Sequence, residues 1–309
     1  MRNIVKQMPI PIVGLMLALA ATGNLVMSYG IVYRNIFGIL SAIILVLMLM
    51  KIIKYPKEVL KSLDNIVVAS VFPAFTMGIM LLSTYISGFS TSLAYSLWII
   101  GLIFHIILII YFTKKHVFNF NIKKVFPSWF IVYVGIVAGT VTAPVFRMEN
   151  IGQILFWLGF ILYLILLPIT LKRVLNIKEI PEPALPTIVI LSAPASLCLT
   201  GYMNSFPNKN IFFVYFLLAL SQFTLLCVLL QLPKLLKLQF YPSYSAFTFP
   251  LVISATSIKL TNAFLIDIEK PLSILKYIIK FEEIVAVGMT IYVLYKYIKF
   301  LFTEAETVK

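Results

Sequence analysis

The sequence predicts an all-α polytopic membrane protein, ten transmembrane helices arranged as five helical hairpins, with the odd-numbered helices inside and the even-numbered ones outside. Three observations predict it. The 309 residues are 61% hydrophobic and 12% charged, whereas a soluble domain carries about 25% charged residues. The apolar residues fall into ten runs, each near the roughly 20 residues that cross a bilayer as a helix. Proline, finally, recurs inside alternate runs.

The runs cover residues 9–28, 34–53, 66–87, 92–113, 127–146, 151–171, 184–204, 211–231, 243–264 and 274–301. The first, in "MRNIVKQMPIPIVGLMLALAATGNLV", follows basic Arg2 and Lys6 as a signal peptide would. Its apolar stretch exceeds the 7–15 residues of a signal core, so it reads as a retained span. Polar breaks such as "KYPKEVLKSLD", "KKHVFNFNIKK" and "KRVLNIKEIPEP" separate later runs. The last run carries Lys276, Lys280, Glu282 and Glu283 in its first half, and Lys280 can pair with Glu283 three residues on. No gap is large enough for a soluble domain, so residues 1–309 form one transmembrane unit, with 1–8 and 302–309 as short cytoplasmic ends.

Charge sets the orientation. With the N-terminus inside, 18 of the 25 Lys and Arg residues fall on the cytoplasmic side, where basic residues concentrate. Both termini are therefore expected in the cytoplasm, with the protein in the plasma membrane. The net charge of +14 is scattered over short gaps and forms no basic face of the kind that grips nucleic acid.

Breakers mark the odd runs. The first has Pro9, Pro11 and Gly14; the third Pro73 and Gly78; the fifth Gly135, Gly139 and Pro144; the seventh Pro186 and Pro194; the ninth Pro250. Runs two, four, eight and ten contain no proline, and the sixth has only Pro168 near its end. Proline removes a backbone hydrogen bond and crowds the preceding turn. Freed carbonyls at membrane depth are tolerated where protein covers them or a wet cavity takes them, and broken helices line transport paths. The odd helices are thus expected to form an inner pore ring, although proline and glycine are common in membrane helices generally. Small residues such as Ala18 and Ser196 either narrow a lumen or permit close helix contact.

Other functions find little support. Cys198 and Cys227 both lie in apolar runs and supply no disulfide framework or thiolate cluster, so neither a metal nor a cofactor is expected. A membrane metalloprotease needs two histidines at ligand spacing; the two here are His105, inside the fourth run, and His116, in a loop. A Ser–His hydrolase would need His105 against a neighbouring serine, which nothing favours. Proton-driven carriers need titratable groups at depth. The central parts of the first eight runs have no Asp, Glu, Lys or Arg, and His105 reads as a hydrogen-bonded packing residue. An uncharged, narrow lumen still favours anions, because amides at helix breaks point their positive ends into it. Weak binding suits conduction. Lys259, ten residues after Phe249 and about 15 Å along a helix, either draws anions to an outer mouth or snorkels to headgroups.

Four segments in order, "PIPIVGLMLALAATGN", "PSWFIVYVGIVAG", "LPTIVILSAPASL" and "YSAFTFPLVIS", resemble the tellurite-resistance/dicarboxylate transporter family, which includes the plant slow anion channels and the yeast malate carrier. The resemblance spans nearly the whole chain. The glutamates of the last run and the sparse glycine in "GLMLALA" depart from it. It implies a homotrimer in membrane lipid, each subunit with its own pore carrying chloride, nitrate or small organic acids. A proton-coupled dicarboxylate or tellurite-related carrier is the competing expectation, with Glu282, Glu283 or His105 coupling. The family's pore-blocking phenylalanine sits in a Ser/Thr-Phe-Pro motif, which maps onto Thr248, Phe249 and Pro250. Phe249 is therefore the expected gate, and Phe247, two residues earlier, points elsewhere. The expected kink and lining residues are Gly14, Ala18, Pro73, Gly78, Gly135, Gly139, Pro194, Ser196, Thr248 and Pro250.

Overall fold

The computed structural model describes residues 4–118 and 120–303; residues 1–3 and most of the expected C-terminal tail lie outside them. The described residues are helical without strands. Among the described residues, nine helical stretches are long and apolar enough to cross a membrane: Ile12–Tyr29, Ile31–Lys54, Ile66–Ile86, Thr91–Val117, Glu149–Ile177, Glu182–Ser205, Ile211–Leu235, Pro242–Asp267 and Leu275–Phe302. Where the fifth run was expected as one span, two short helices stand instead, Trp129–Tyr133 and Val137–Thr142, the latter extended by a 3-10 turn to Phe146. The stretches and this broken pair are numbered below as spans one to ten in chain order.

Local chemistry sets the boundaries. Asn65, Ser90 and Asn210 cap spans three, four and eight, each side-chain oxygen accepting backbone N–H groups of the first turn. Gly30, at φ 145°, turns the chain between spans one and two, a conformation that other residues rarely adopt.

The prolines act differently from the expected kinks. Pro250 sits in the first turn of helix Phe249–Asp267, after a 3-10 segment Pro242–Phe247. Pro194 likewise opens Ala193–Ser205, and Pro11 and Pro73 immediately precede Ile12–Val26 and Ala74–Ile86. At a helix start the missing N–H costs no internal bond. Each of these spans is therefore a short or tightly wound entry segment followed by a fresh α-helix.

The odd spans close a ring, span one packing on three, three on five, five on seven, seven on nine, and nine back on one. Each even span lies behind its odd partner. Between 61% and 89% of the most apolar window is buried in spans one, three, seven and nine, against 22–39% in the even spans. Ile36, Ile39 and Ile43 of span two and Ile103 and Ile107 of span four are among the side chains left exposed, as a lipid-facing layer requires. Buried polar contacts tie the two rings together, since hydrocarbon offers them no alternative partner. Ser41 donates to the Met16 carbonyl (2.7 Å), and Trp98 Nε1 donates to Thr142 Oγ1 (2.8 Å). His105 bridges span four to spans three and five, with Nδ1 2.7 Å from Thr76 Oγ1 and Nε2 3.1 Å from the Val132 carbonyl.

Candidate functional site

Three openings follow one another along the odd spans. At the N-terminal ends of these spans lies an opening of about 570 Å³, bounded by Pro11, Asn65, Val68, Phe126, Pro183 and Tyr241 among others. At their C-terminal ends lies one of about 750 Å³, reached by Asn24, Thr84, Thr142, Asn204 and Thr256. Between them is a cavity of about 40 Å³, room for a few water molecules at most.

All five odd spans line this central cavity and no even span does. Gly14, Ala74, Gly135, Ala193 and Phe249 each stand at, or within two residues of, the start of their span's second helix. Five helix starts therefore meet at one level. Ser245 is the one hydroxyl-bearing side chain in a lining otherwise made of apolar groups and glycine. The first-turn amides are largely occupied: Val13, Gly14, Phe75, Ala138 and Leu251 donate to carbonyls three residues back. The lumen thus gains the field of the helix ends without a cluster of free donors.

Phe249 lines the cavity, and its ring makes no ring–ring contact among the described residues. Two nearby aromatics are held. Phe247 is fully buried against Tyr244, with centroids 4.8 Å apart, and Phe130, also in the lining, packs edge-on against Tyr163 at 5.8 Å.

Of the residues expected to line or kink a lumen, Gly14, Gly135, Pro194, Phe249 and Pro250 come together there, while Ala18, Pro73, Gly78, Gly139, Ser196 and Thr248 do not. Gly14 allows close approach of span nine, since a Cβ would stand 3.0 Å from the Ser245 side chain. Gly78 faces Met16, and Gly139 faces Leu155 and Leu102, so these two glycines serve packing. Ser196 and Thr248 return their hydroxyls to the carbonyls of Ser192 and Ser245. Phe130, Met77 and Ser245 were not singled out from sequence. Phe130 stood within the quoted "PSWFIVYVGIVAG", and only that neighbourhood offered a signal.

The charges also differ from expectation. Lys259 donates to Glu283 Oε1 (2.6 Å), Ser28 Oγ (2.8 Å) and the Leu25 carbonyl (3.0 Å). Glu283 also accepts from Tyr29 Oη (2.6 Å). Lys259 is thus neutralised between spans one, nine and ten rather than offered to an outer mouth or to headgroups, and Glu283 pairs with it in place of Lys280. The cation in the larger opening is Arg34. It donates to Asn24 Oδ1 (3.0 Å) and to the Thr84 carbonyl (3.1 Å), stacks 4.1 Å from the Tyr85 ring centroid, and has no carboxylate partner among the described residues.

A multi-pass membrane protein with a closed ring of broken helices around a constricted axis belongs to the class of channels and transporters. Residues 7–298 match the model of the voltage-dependent anion channel family, and the chain belongs to that family. An uncharacterized transporter from Methanocaldococcus jannaschii is 25% identical over 259 residues, 74% of each chain. Membership points to anion transport or channel activity rather than to an enzyme.

Proposed function

We propose that each subunit passes small anions, such as chloride, nitrate or small organic acids, along the axis of the odd spans, and that Phe249 closes it. The observation that carries this reading is the narrow cavity at Phe249, set between two openings more than ten times its volume and lined by all five odd spans. An anion cannot keep its hydration shell in so small an apolar space, and hydrophobic constrictions of this kind gate by dewetting. Unlike Phe130 and Phe247, the Phe249 ring has no aromatic brace, so it is the ring free to swing.

The electrostatics select anions over cations. Helix starts carry partial positive charge, each worth about 0.3–1 kcal/mol to a nearby anion and more where partly buried. Arg34 adds a full charge in the larger opening. His105 is committed to Thr76 and Val132 and stands behind the inner ring, which argues against a role in coupling. Ten spans with both termini in the cytoplasm place Arg34 and the larger opening outside. The exposed apolar faces of the even spans suit lipid and the contacts of a homotrimer in the plasma membrane.

Liposome-reconstituted protein under a tenfold chloride gradient tests the reading. The reversal potential is expected to follow chloride at about 59 mV per decade for one charge and to stay there when a pH gradient is imposed. A potential that follows the pH gradient instead would favour the coupled carrier.

A further inference from the structure

Glu282 lies on span ten with 3% of its surface exposed, and neither carboxylate oxygen meets a partner at full hydrogen-bond geometry among the described residues. The polar groups beside it are the Ser254 hydroxyl of span nine and the Gln222 side chain of span eight. Ser254 Oγ and Gln222 Nε2 are themselves buried without partners. Three polar groups from three spans thus meet in one place, and Leu225, Leu229, Leu251, Phe281 and Val285 close in Glu282 around a void of about 10 Å³. The anion path does not use them, because none lines the central cavity or either larger opening.

Burying an ionised carboxylate in such surroundings is costly unless it is paired or hydrogen-bonded. Among the described residues no lysine or arginine pairs with it. On span nine, Lys259 is engaged by Glu283; span one contributes Tyr29, bonded to the same Glu283. Span eight offers only the neutral Gln222, and the 3-10 segment of span nine presents Tyr244, whose hydroxyl donates to the Leu238 carbonyl. On span ten itself Lys280 is exposed, and Tyr297 donates to the Pro242 carbonyl. A hard metal cation takes six or more oxygens in a shell, which this void and its aliphatic lining do not supply.

We propose that Glu282 is a proton-binding site in the wall behind the gate, and that its ionisation withdraws Phe249 from the anion path. The proposal rests on the gated-path reading above. With the carboxyl neutral, the Ser254 hydroxyl and the Gln222 amide stand beside it without closing to full hydrogen-bond geometry, as in this structure. Loss of the proton to solvent leaves a carboxylate that needs donors, and these two are at hand. Ser254 lies five residues along the helix that begins at Phe249, and Leu251 already touches the site. Drawing Ser254 toward Glu282 therefore pulls the start of that helix outward from the lumen.

The test measures chloride flux into proteoliposomes from about pH 5 to about pH 9, a range that covers documented buried glutamates. Wild type and Glu282→Gln, which keeps the shape of the neutral acid, are compared. Wild-type flux is expected to rise with pH, by up to about tenfold per unit for a one-proton switch. Glu282→Gln should stay at the low-pH level throughout. A variant that keeps the wild-type pH response, or one fixed at the high level, overturns the proposal, as does a wild type without pH response. A second readout is independent of conduction. The melting temperature of purified wild type should fall as pH rises through the titration, while that of Glu282→Gln does not. If neither protein conducts, even with Phe249→Ala added, the anion-path reading fails while this melting difference still reports the proton site. Stabilisation by sodium at constant pH would identify a cation site and overturn the proposal.

Discussion

Replacing Phe249 by alanine separates a gate from a packing residue. The ring is 8% exposed and borders a cavity on one side, so its removal costs less stability than the roughly 3–5 kcal/mol typical of a fully packed Phe→Ala change. Phe247, fully buried against Tyr244, should pay that full amount. The effect on passage runs the other way. The central cavity of about 40 Å³ has room for a few water molecules at most, and removing the ring joins it to the space on either side. If the ring contributes about 3 kcal/mol to the barrier for ion entry, its loss raises current by roughly 100-fold. Planar-bilayer current divided by the amount of correctly folded protein is the assay, with Phe247→Ala measured beside it. A lowered melting temperature with unchanged current in Phe249→Ala would refute the gate assignment. So would a Phe247→Ala protein that conducts more than Phe249→Ala.

Further outcomes follow from the same geometry. Gly135→Ala would drive a Cβ into the Ile131 carbonyl oxygen and place it 2.7 Å from Met77 Sδ; the backbone must shift, and a loss of about 1–3 kcal/mol is expected as a lower melting temperature. Arg34→Gln should reduce current at low chloride and lose its effect near 1 M salt, where screening shortens to about 3 Å; a reduction independent of salt would point to structure instead. Lys259→Met strands the buried Glu283 carboxylate and should cost up to about 3 kcal/mol, most of it recovered in Lys259→Met with Glu283→Leu; a double variant as unstable as the single one would deny the pairing. Cysteine at Gly88, where an added Cβ meets nothing within 4 Å, should react with impermeant reagents from outside the cell, and reaction only from the cytoplasmic side would reverse the topology.

Much of the architecture was legible in the sequence, for a physical reason. Apolar run length is set by bilayer thickness, so the boundaries of span two, expected at 34–53 and found at Ile31–Lys54, follow from hydropathy alone. Proline position marked the inner ring correctly for spans one, three, seven and nine, because in each of them a proline stands where a second helix begins inside the protein. Sequence could not tell a proline that kinks a helix from one that begins it, since both interrupt the same apolar run. Pro250 is the second kind. Nor could it tell which face of an odd span meets the lumen. These helices are buried almost all round, as in Ile12–Val26, so no polar stripe fixes their rotation, and Gly14 could not be told from Ala18. The Lys259–Glu283 contact joins residues on different spans, whereas the sequence offered the local pair of Lys280 with Glu283. Arg34 was overlooked for a similar reason: it stands near the start of an outer helix, and only the fold carries it into the opening among the odd spans.

The most direct test of an anion path inside the odd ring is block by a reagent attached to its wall. Ala246 lines the central cavity, whereas Ile103 of span four faces outward, 51% exposed. In a Phe249→Ala background with Cys198 and Cys227 replaced by alanine, single cysteines at these two positions are treated with a small charged thiol reagent during recording. Modification of Ala246→Cys should abolish nearly all of the chloride current, and modification of Ile103→Cys should leave it intact. A current that survives full labelling at 246, confirmed by mass spectrometry, would place the anion path elsewhere and contradict the assignment.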